Sequence, residues 1–221
     1  NTAVGKSALD ANTTASYCDA FGANALKTNT TGNSNCAIGY NTLFYNTTGG
    51  ENVAVGRNAL HTATTASYNT AVGKGALFAN TTAQQGTAVG SDALLANTTG
   101  AANVGVGRLS LSTNTTGGSN TAIGSFSLRY NTTASENTAV GYMALTANTT
   151  GIRNTGVGAL AADAVTDGSD NTALGHEALT GETSGIRNTA IGRAALATQN
   201  GGNRNTAIGF KALEDLGSSR F

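Results

Sequence analysis

The chain has no proline and no tryptophan, and it has only two cysteines among 221 residues. It also has no net charge, because it contains 12 basic and 12 acidic residues. Without net charge, bulk electrostatics does not attract nucleic acid to the chain. No apolar run approaches the roughly 18 residues that a membrane-spanning helix needs. We therefore expect no nucleic-acid partner and no membrane insertion in this segment.

What the sequence has instead is a 17-residue repeat, and 13 such units fill all 221 positions without an insertion. Within the unit, position 5 is always Gly, position 4 is always apolar, position 9 is Leu in 12 units and position 3 is Ala or Gly. Position 1 is usually Asn, and positions 12 to 14 often read NTT. A fixed period with fixed apolar positions is typical of a solenoid, in which stacked coils bury one another's faces. Residues 1–221 are therefore predicted to form a single repeat array.

The composition of the unit favours an all-β coil. Thr, Ala and Val before the obligatory Gly are typical of a short strand that ends in a bend, and NTT followed by Gly or Ala is typical of a turn. Positions 6 to 11 fit either a second strand or a short helix, and we favour the strand because a helix needs more residues. The predicted fold is a parallel β-solenoid, or β-roll, of thirteen coils about 4.8 Å apart. Asn at position 1 should form a ladder of side-chain amides, with Thr at positions 13 and 14 doing the same at a turn.

Successive side chains of a strand face opposite sides, so only one of positions 3 and 4 can direct its side chain into the coil. Position 3 never exceeds Ala in size, and a solvent face gives no reason to exclude large polar residues. We expect one of these apolar positions to fill the coil and the other to pack at a homo-oligomer interface. The favoured arrangement puts Val of position 4 and Leu of position 9 inside.

The pentads NTAVG at 1–5, NVAVG at 52–56 and NTAIG at 120–124 resemble the head repeats of trimeric autotransporter adhesins. They also resemble NTAVG-type arrays of phage and bacterial tail-fibre proteins, and the resemblance covers all thirteen units. It implies a left-handed β-roll, a homotrimer around a common axis, an extracellular location on a cell surface or virion fibre, and attachment to a host or prey surface. The unit here is longer than the adhesin repeat because it adds the NTT turn, which favours the fibre-type arrays and leaves the handedness open.

The variable positions are where a binding site would lie. Exposed aromatic side chains beside polar groups are surfaces on which sugar rings stack, and coils 3 to 5 carry several of them. The other interpretation is that these side chains cover the apolar rod or fill gaps between chains. The candidate residues for binding a glycan or protein on a host or prey surface are Tyr40, Phe44, Tyr45, Arg57, Lys74 and Phe78.

Residue sets for catalysis and metal binding are missing. His61 and His176 lie seven coils apart, roughly 34 Å, which is too far to ligate one metal within a chain. Both are interpreted as ordinary surface residues. Asp has no fixed position, whereas calcium-binding β-rolls need an Asp in every coil. No Ser, His and Asp set is placed to cooperate and no GxxxxGK[ST] loop occurs, so the sequence predicts no enzyme, no metal and no cofactor.

Two further patterns are open to modification. Cys18 and Cys36 are one coil and one position apart, so their side chains should face opposite sides and remain free thiols. Eight NTT triplets fit the N-glycosylation pattern, but they follow the repeat and are interpreted as turns. These triplets begin at Asn12, Asn29, Asn46, Asn80, Asn97, Asn114, Asn131 and Asn148.

The leading functional prediction is a structural and adhesive one: a trimeric fibre shaft or head that projects or provides a surface-attachment site. One alternative is an ice-binding solenoid, because such proteins display flat ladders of Thr. Against it, the Thr residues of positions 13 and 14 are adjacent, and Thr at position 2 is replaced by Asp19, Cys36, Val53 and Val104. Another alternative is a self-assembling extracellular filament without a receptor.

Overall fold

The computed structural model describes residues 1–214, which form a parallel β-solenoid with one three-residue strand per coil. Each strand pairs with the next in sequence, in register, so that every residue lies opposite the one 17 positions later. The predicted fold class is confirmed. Residues 215–221, the end of the thirteenth coil, lie outside the described residues. The strands are β1 (Thr2–Val4), β2 (Asp19–Phe21), β3 (Cys36–Ile38), β4 (Val53–Val55), β5 (Thr70–Val72), β6 (Thr87–Val89), β7 (Val104–Val106), β8 (Thr121–Ile123), β9 (Thr138–Val140), β10 (Thr155–Val157), β11 (Thr172–Leu174), β12 (Thr189–Ile191) and β13 (Thr206–Ile208).

The glycine at position 5 ends every strand. Its φ lies between 126° and 141° in all thirteen coils, a region that residues with a side chain rarely adopt. Space is missing as well, because a Cβ on Gly107 would lie 2.6 Å from the carbonyl carbon of Gly124 in the next coil. The close stacking of these turns therefore requires glycine.

The segment at positions 6 to 11 is a turn, so the prediction of a second strand was wrong. Positions 7 and 9 adopt left-handed conformations, as in Asn58 at φ 60° and Leu60 at φ 49°, which breaks the extended path. The turn nevertheless continues the ladder between coils. The amide of Leu60 donates to the carbonyl of Ala76 at 3.0 Å, and that of Asn58 donates to Tyr40 at 2.9 Å.

The interior is filled by Leu at position 9 and by Ala at positions 3 and 8, nearly all fully buried. The prediction that Leu lies inside is confirmed, but the prediction that Val of position 4 lies inside was wrong. The cause is the narrowness of the coil. Even an added Cβ at Gly105, in position 3, would lie only 3.2 Å from Cγ of Leu94. Nothing larger than a methyl group fits there, so the small residues face the core and the larger apolar residues of position 4 face outward.

Two ladders of buried asparagine amides run beside the apolar core. In the predicted position-1 ladder, the Nδ2 of Asn52 donates to Oδ1 of Asn35 at 3.1 Å and to the carbonyl of Ala66 at 2.8 Å. A second ladder at position 12 was not predicted; there the Nδ2 of Asn114 donates to Oδ1 of Asn97 at 2.7 Å. Both ladders satisfy most of the polar groups that water cannot reach, and the Oδ1 of Asn46, opposite Ala63, is an exception. The Thr hydroxyls of position 13 donate to backbone carbonyls of the next coil rather than to each other.

Candidate functional site

The side chains of position 4 form a continuous outward line along the rod, which we call the apolar row. They stand on the open face of the sheet, and the exposed fraction is 41% at Ile123 in the middle of the rod and 69% at Ile208 near its end. A contiguous row of exposed and half-exposed apolar side chains makes this face a candidate for interaction. The row consists of Val4, Phe21, Ile38, Val55, Val72, Val89, Val106, Ile123, Val140, Val157, Leu174, Ile191 and Ile208.

The predicted binding residues of coils 3 to 5 separate into two groups. Phe44 and Phe78 lie at position 10, and His61 of the intervening coil stacks between them. The centroid of the His61 ring lies 5.5 Å from that of Phe44, and the two ring planes are 18° apart. It lies 5.0 Å from the centroid of Phe78, with the planes 5° apart. Tyr45 meets the His61 ring edge-on at 5.2 Å. We call these four rings, which lie nearer the N-terminal end of the rod than the cluster on coils 8 and 9, the lower aromatic stack.

Tyr40, Arg57 and Lys74 lie at position 6, at the start of the turn. All three are exposed, and within residues 1–214 no ring or cation–π contact connects them to the lower aromatic stack. Lys74 is instead 3.9 Å from Oδ2 of Asp92, in the next coil. The structure thus joins three of the six predicted residues, Phe44, Tyr45 and Phe78, through ring contacts.

His61 is part of this stack rather than a free surface residue. Burial lowers the pKa of its imidazole below the usual value, because desolvation disfavours the protonated form. Its Nδ1 is buried without a hydrogen-bond partner. His176 remains a half-exposed surface residue, with Nδ1 3.3 Å from Glu177. In the part of the chain that the structure describes, no three His, Cys, Asp or Glu side chains gather as a metal site would require.

A second aromatic cluster lies on coils 8 and 9, and sequence reasoning did not identify it. It lines a pocket of about 210 Å³ that is open to solvent, which we call the coil 8–9 pocket. The Phe126 and Tyr142 rings meet edge-on at 6.0 Å. The signal was available in the sequence, since position 7 carries the consecutive large residues Leu109, Phe126 and Met143. The lining residues are Phe126, Arg129, Tyr130, Tyr142, Met143 and Thr146.

The NTT asparagines are structural. From Asn29 onwards these side chains are buried in the position-12 ladder, where a glycan has no room. In coil 11 this position is taken by Glu182, whose buried carboxylate accepts hydrogen bonds from four backbone amides of coils 11 and 12. That carboxylate is fully used by the fold.

The two cysteines are free thiols, as predicted. Cys18 takes the place of the position-1 Asn and is buried, with its Sγ 3.3 Å from the carbonyl of Gly32. Cys36 is half-buried on the outward face of β3, and burial followed by the charge of Asp19 raises the pKa of its thiol. A thiol with a raised pKa is a poor nucleophile at neutral pH.

Comparison with protein-family models, curated proteins and solved structures found no match for the chain. Residues 1–214 include no helix with the length and apolarity that crossing a bilayer demands.

Proposed function

We propose that this chain is a segment of an extracellular attachment fibre, in which three copies pack along their apolar rows and present the variable turns outward. The observation that carries the proposal is the apolar row itself. A self-sufficient coil has its core inside, yet every strand also turns one Val, Ile, Leu or Phe to the outside. Exposing these thirteen apolar side chains to water is unfavourable in free energy for a monomer, whereas burying them stabilises an oligomer.

A second copy of the chain is the partner that fits this row. Coils repeat about every 4.8 Å, so a partner that covers the whole row needs the same spacing over about 58 Å. Together with the side chains of position 2, the face is about 10 Å wide, which gives about 600 Å² per chain and about 1,200 Å² for a pair. That area reaches the lower end of stable protein interfaces. The choice of three copies rests on the resemblance to trimeric fibre repeats.

The outward variable turns support a role in attachment. In the described coils, positions 6, 7, 10 and 11 change freely between units while the core positions stay constant. The two aromatic clusters lie in these turns, on surfaces that the apolar row does not include. A fibre of this kind would hold its binding groups away from the cell or virion that carries it.

The mass of the purified segment in solution tests the proposal. We expect three times the single-chain mass of 21.9 kDa in sedimentation equilibrium. A stable monomer would contradict the proposal, and a dimer would contradict the threefold assembly while keeping the row as an interface. Particles of unlimited length would favour the filament alternative.

Ice binding remains a second candidate for one reason. The Thr side chains of position 2 stand on the same outward face as the apolar row, and they run without interruption through the strands β8 to β13. Regular hydroxyls on a flat sheet are what an ice-binding face would need. Thermal hysteresis on the same sample separates the two functions, and we expect none.

A further inference from the structure

The coil 8–9 pocket has walls made of aromatic rings with accessible surface. Tyr130 and Tyr142 are 47% and 52% exposed, and the Phe126 ring packs edge-on against Tyr142. The face of an aromatic ring carries partial negative charge and attracts weakly positive C–H groups. Such walls suit a ligand that offers a flat C–H face, and their hydroxyl groups at the rim suit one that also carries polar groups at its edge.

One arginine, Arg129, lines this pocket, and a second, Arg108 of the preceding coil, contacts the same Phe126 ring. The guanidinium carbons of Arg108 and Arg129 each lie 5.3 Å from the centroid of the Phe126 ring, and that of Arg129 is also 5.0 Å from the Tyr130 ring. Contacts of this kind hold a cation in place without neutralising it.

Neither arginine has a carboxylate partner within residues 1–214. Three other cations of the described coils do have one, since Lys74 pairs with Asp92, Arg153 with Asp170 and Lys211 with Glu214, and the rest have none. What distinguishes the coil 8–9 pocket is that two unpaired cations contact the same ring of its wall, Phe126, and this local positive charge favours an anionic ligand.

The size of the pocket limits the ligand further. A volume of about 210 Å³ is below the roughly 300 to 1,000 Å³ of sites for drug-sized molecules, so a single ring fits. The hydroxyl of Thr146 adds a hydrogen-bonding group to the wall. A ring with a C–H face, hydroxyls at its edge and one negative charge meets all of these conditions.

We propose that the coil 8–9 pocket binds an acidic sugar residue, a uronic or sialic acid of a surface glycan. The aromatic walls stack on the ring of the sugar, and Arg129 pairs with its carboxylate, while Arg108 adds positive charge from the preceding coil. The biological use of this binding rests on the proposed attachment function, in which three copies of the pocket would add avidity to a weak single site.

The only methionine of the chain, Met143, lies in the wall of this pocket and reports on it. We would label its methyl group with ¹³C in the full chain and record NMR spectra during titration. The acidic probes are the methyl glycosides of glucuronic acid, galacturonic acid and N-acetylneuraminic acid, and the neutral probes are methyl glucoside and methyl galactoside. We expect at least one acidic probe to shift the Met143 signal in a saturable way, with affinity at least about fivefold above the neutral probes and falling as salt rises.

Two variants test the assigned residues. Arg129→Ser places at position 10 the residue that Ser112 holds one coil earlier, and Phe126→Asn repeats Asn58 at position 7, with a similar left-handed φ. Each should weaken binding of the acidic probe at least about fivefold. Arg187→Ser is the matched control, because it removes the same charge from an exposed site in coil 11, at position 17, where Ser119 occurs with a similar φ, and it should leave binding unchanged.

The proposal is overturned if no acidic probe moves the signal, if the neutral probes bind as well, or if Arg187→Ser weakens binding as much as Arg129→Ser. Equal binding of benzoate would likewise overturn the assignment to a sugar. These outcomes are independent of the mass measurement. A monomer that binds the acidic probe contradicts the fibre and keeps the site, whereas a trimer without a shift contradicts the site alone.

Discussion

Ala63 interrupts the ladder of buried amides at position 12, between Asn46 and Asn80. The Oδ1 of Asn46 is buried and has no hydrogen-bond partner, whereas the Oδ1 of Asn97 accepts from Asn114 in the next coil. A buried acceptor without a donor costs about 1 to 3 kcal/mol. The coil 4 turn therefore carries a local defect that the neighbouring coils do not have.

Restoring the amide should repair this defect. We expect Ala63→Asn to raise the free energy of unfolding by about 1 to 2 kcal/mol, because the new Nδ2 can donate to Asn46 and to the carbonyl of Ala66. Thermal and guanidinium unfolding followed by circular dichroism measures the change. Ala79→Asn, at a half-buried position outside the ladder, is the control and should give no gain. A lower stability of Ala63→Asn would mean that the turn at coil 4 lacks room for an amide.

The strand and its terminal glycine are the elements on which coil spacing depends. At Gly107 the φ of +129° and the 2.6 Å approach to Gly124 both exclude a side chain. We expect Gly107→Ala to destabilise the rod by more than about 3 kcal/mol, since strain and overlap add. Amide hydrogen exchange should show the loss concentrated in coils 6 to 8, because the coils of a solenoid interact mainly with their neighbours.

Gly201→Asn is the control for this element. Gly201 also has a positive φ, of 74°, but an added Cβ there meets nothing within 4 Å, and Asn tolerates that conformation. It should leave the unfolding midpoint close to that of the parent chain. Equal damage from both substitutions would show that conformational freedom alone, and not the close stacking, explains the glycine at position 5.

The repeat made much of each element predictable. The strand before Gly107, the bend at the glycine and the amide ladder that contains Asn52 all followed from residues at fixed positions. The turn after the glycine did not, because Leu60 adopts a left-handed conformation that its sequence disfavours and that stacking stabilises. The prediction that position 4 faces the interior was wrong, because alternation tells which residues share a face but not how wide the coil is. That width is set by the Leu94 side chain against position 3.

Site prediction was weaker than fold prediction for a related reason. Phe44 and Phe78 are two coils apart in one column, so the repeat brought them together, and His61 between them completed the stack. Tyr40 belongs to another column, and within residues 1–214 no ring contact joins it to them. The coil 8–9 pocket combines residues from positions 6, 7, 10 and 11. Contacts between columns depend on the path of the turn, which a repeat pattern does not contain.

At the scale of the whole molecule, core and interaction face are separate. The core positions 3, 8 and 9 are buried in coils 2 to 12, while the side chains of position 4 are exposed or half-exposed. A charge in the apolar row should therefore leave the coils intact and act on association alone. The outward face of the strands already accepts one charge at position 2, in Asp19.

Val140→Asp tests this separation. If three rows pack along a common axis, three carboxylates would be buried close together, and we expect the dissociation constant of the trimer to rise at least about 100-fold. Sedimentation equilibrium measures the association, and circular dichroism at low concentration should show a fold like that of the parent chain. Thr133→Asp is the matched control, since it adds the same charge at exposed position 14, where Asp167 occurs naturally. An unchanged trimer in Val140→Asp would mean that the chains meet through another face, and the apolar row would need a different partner.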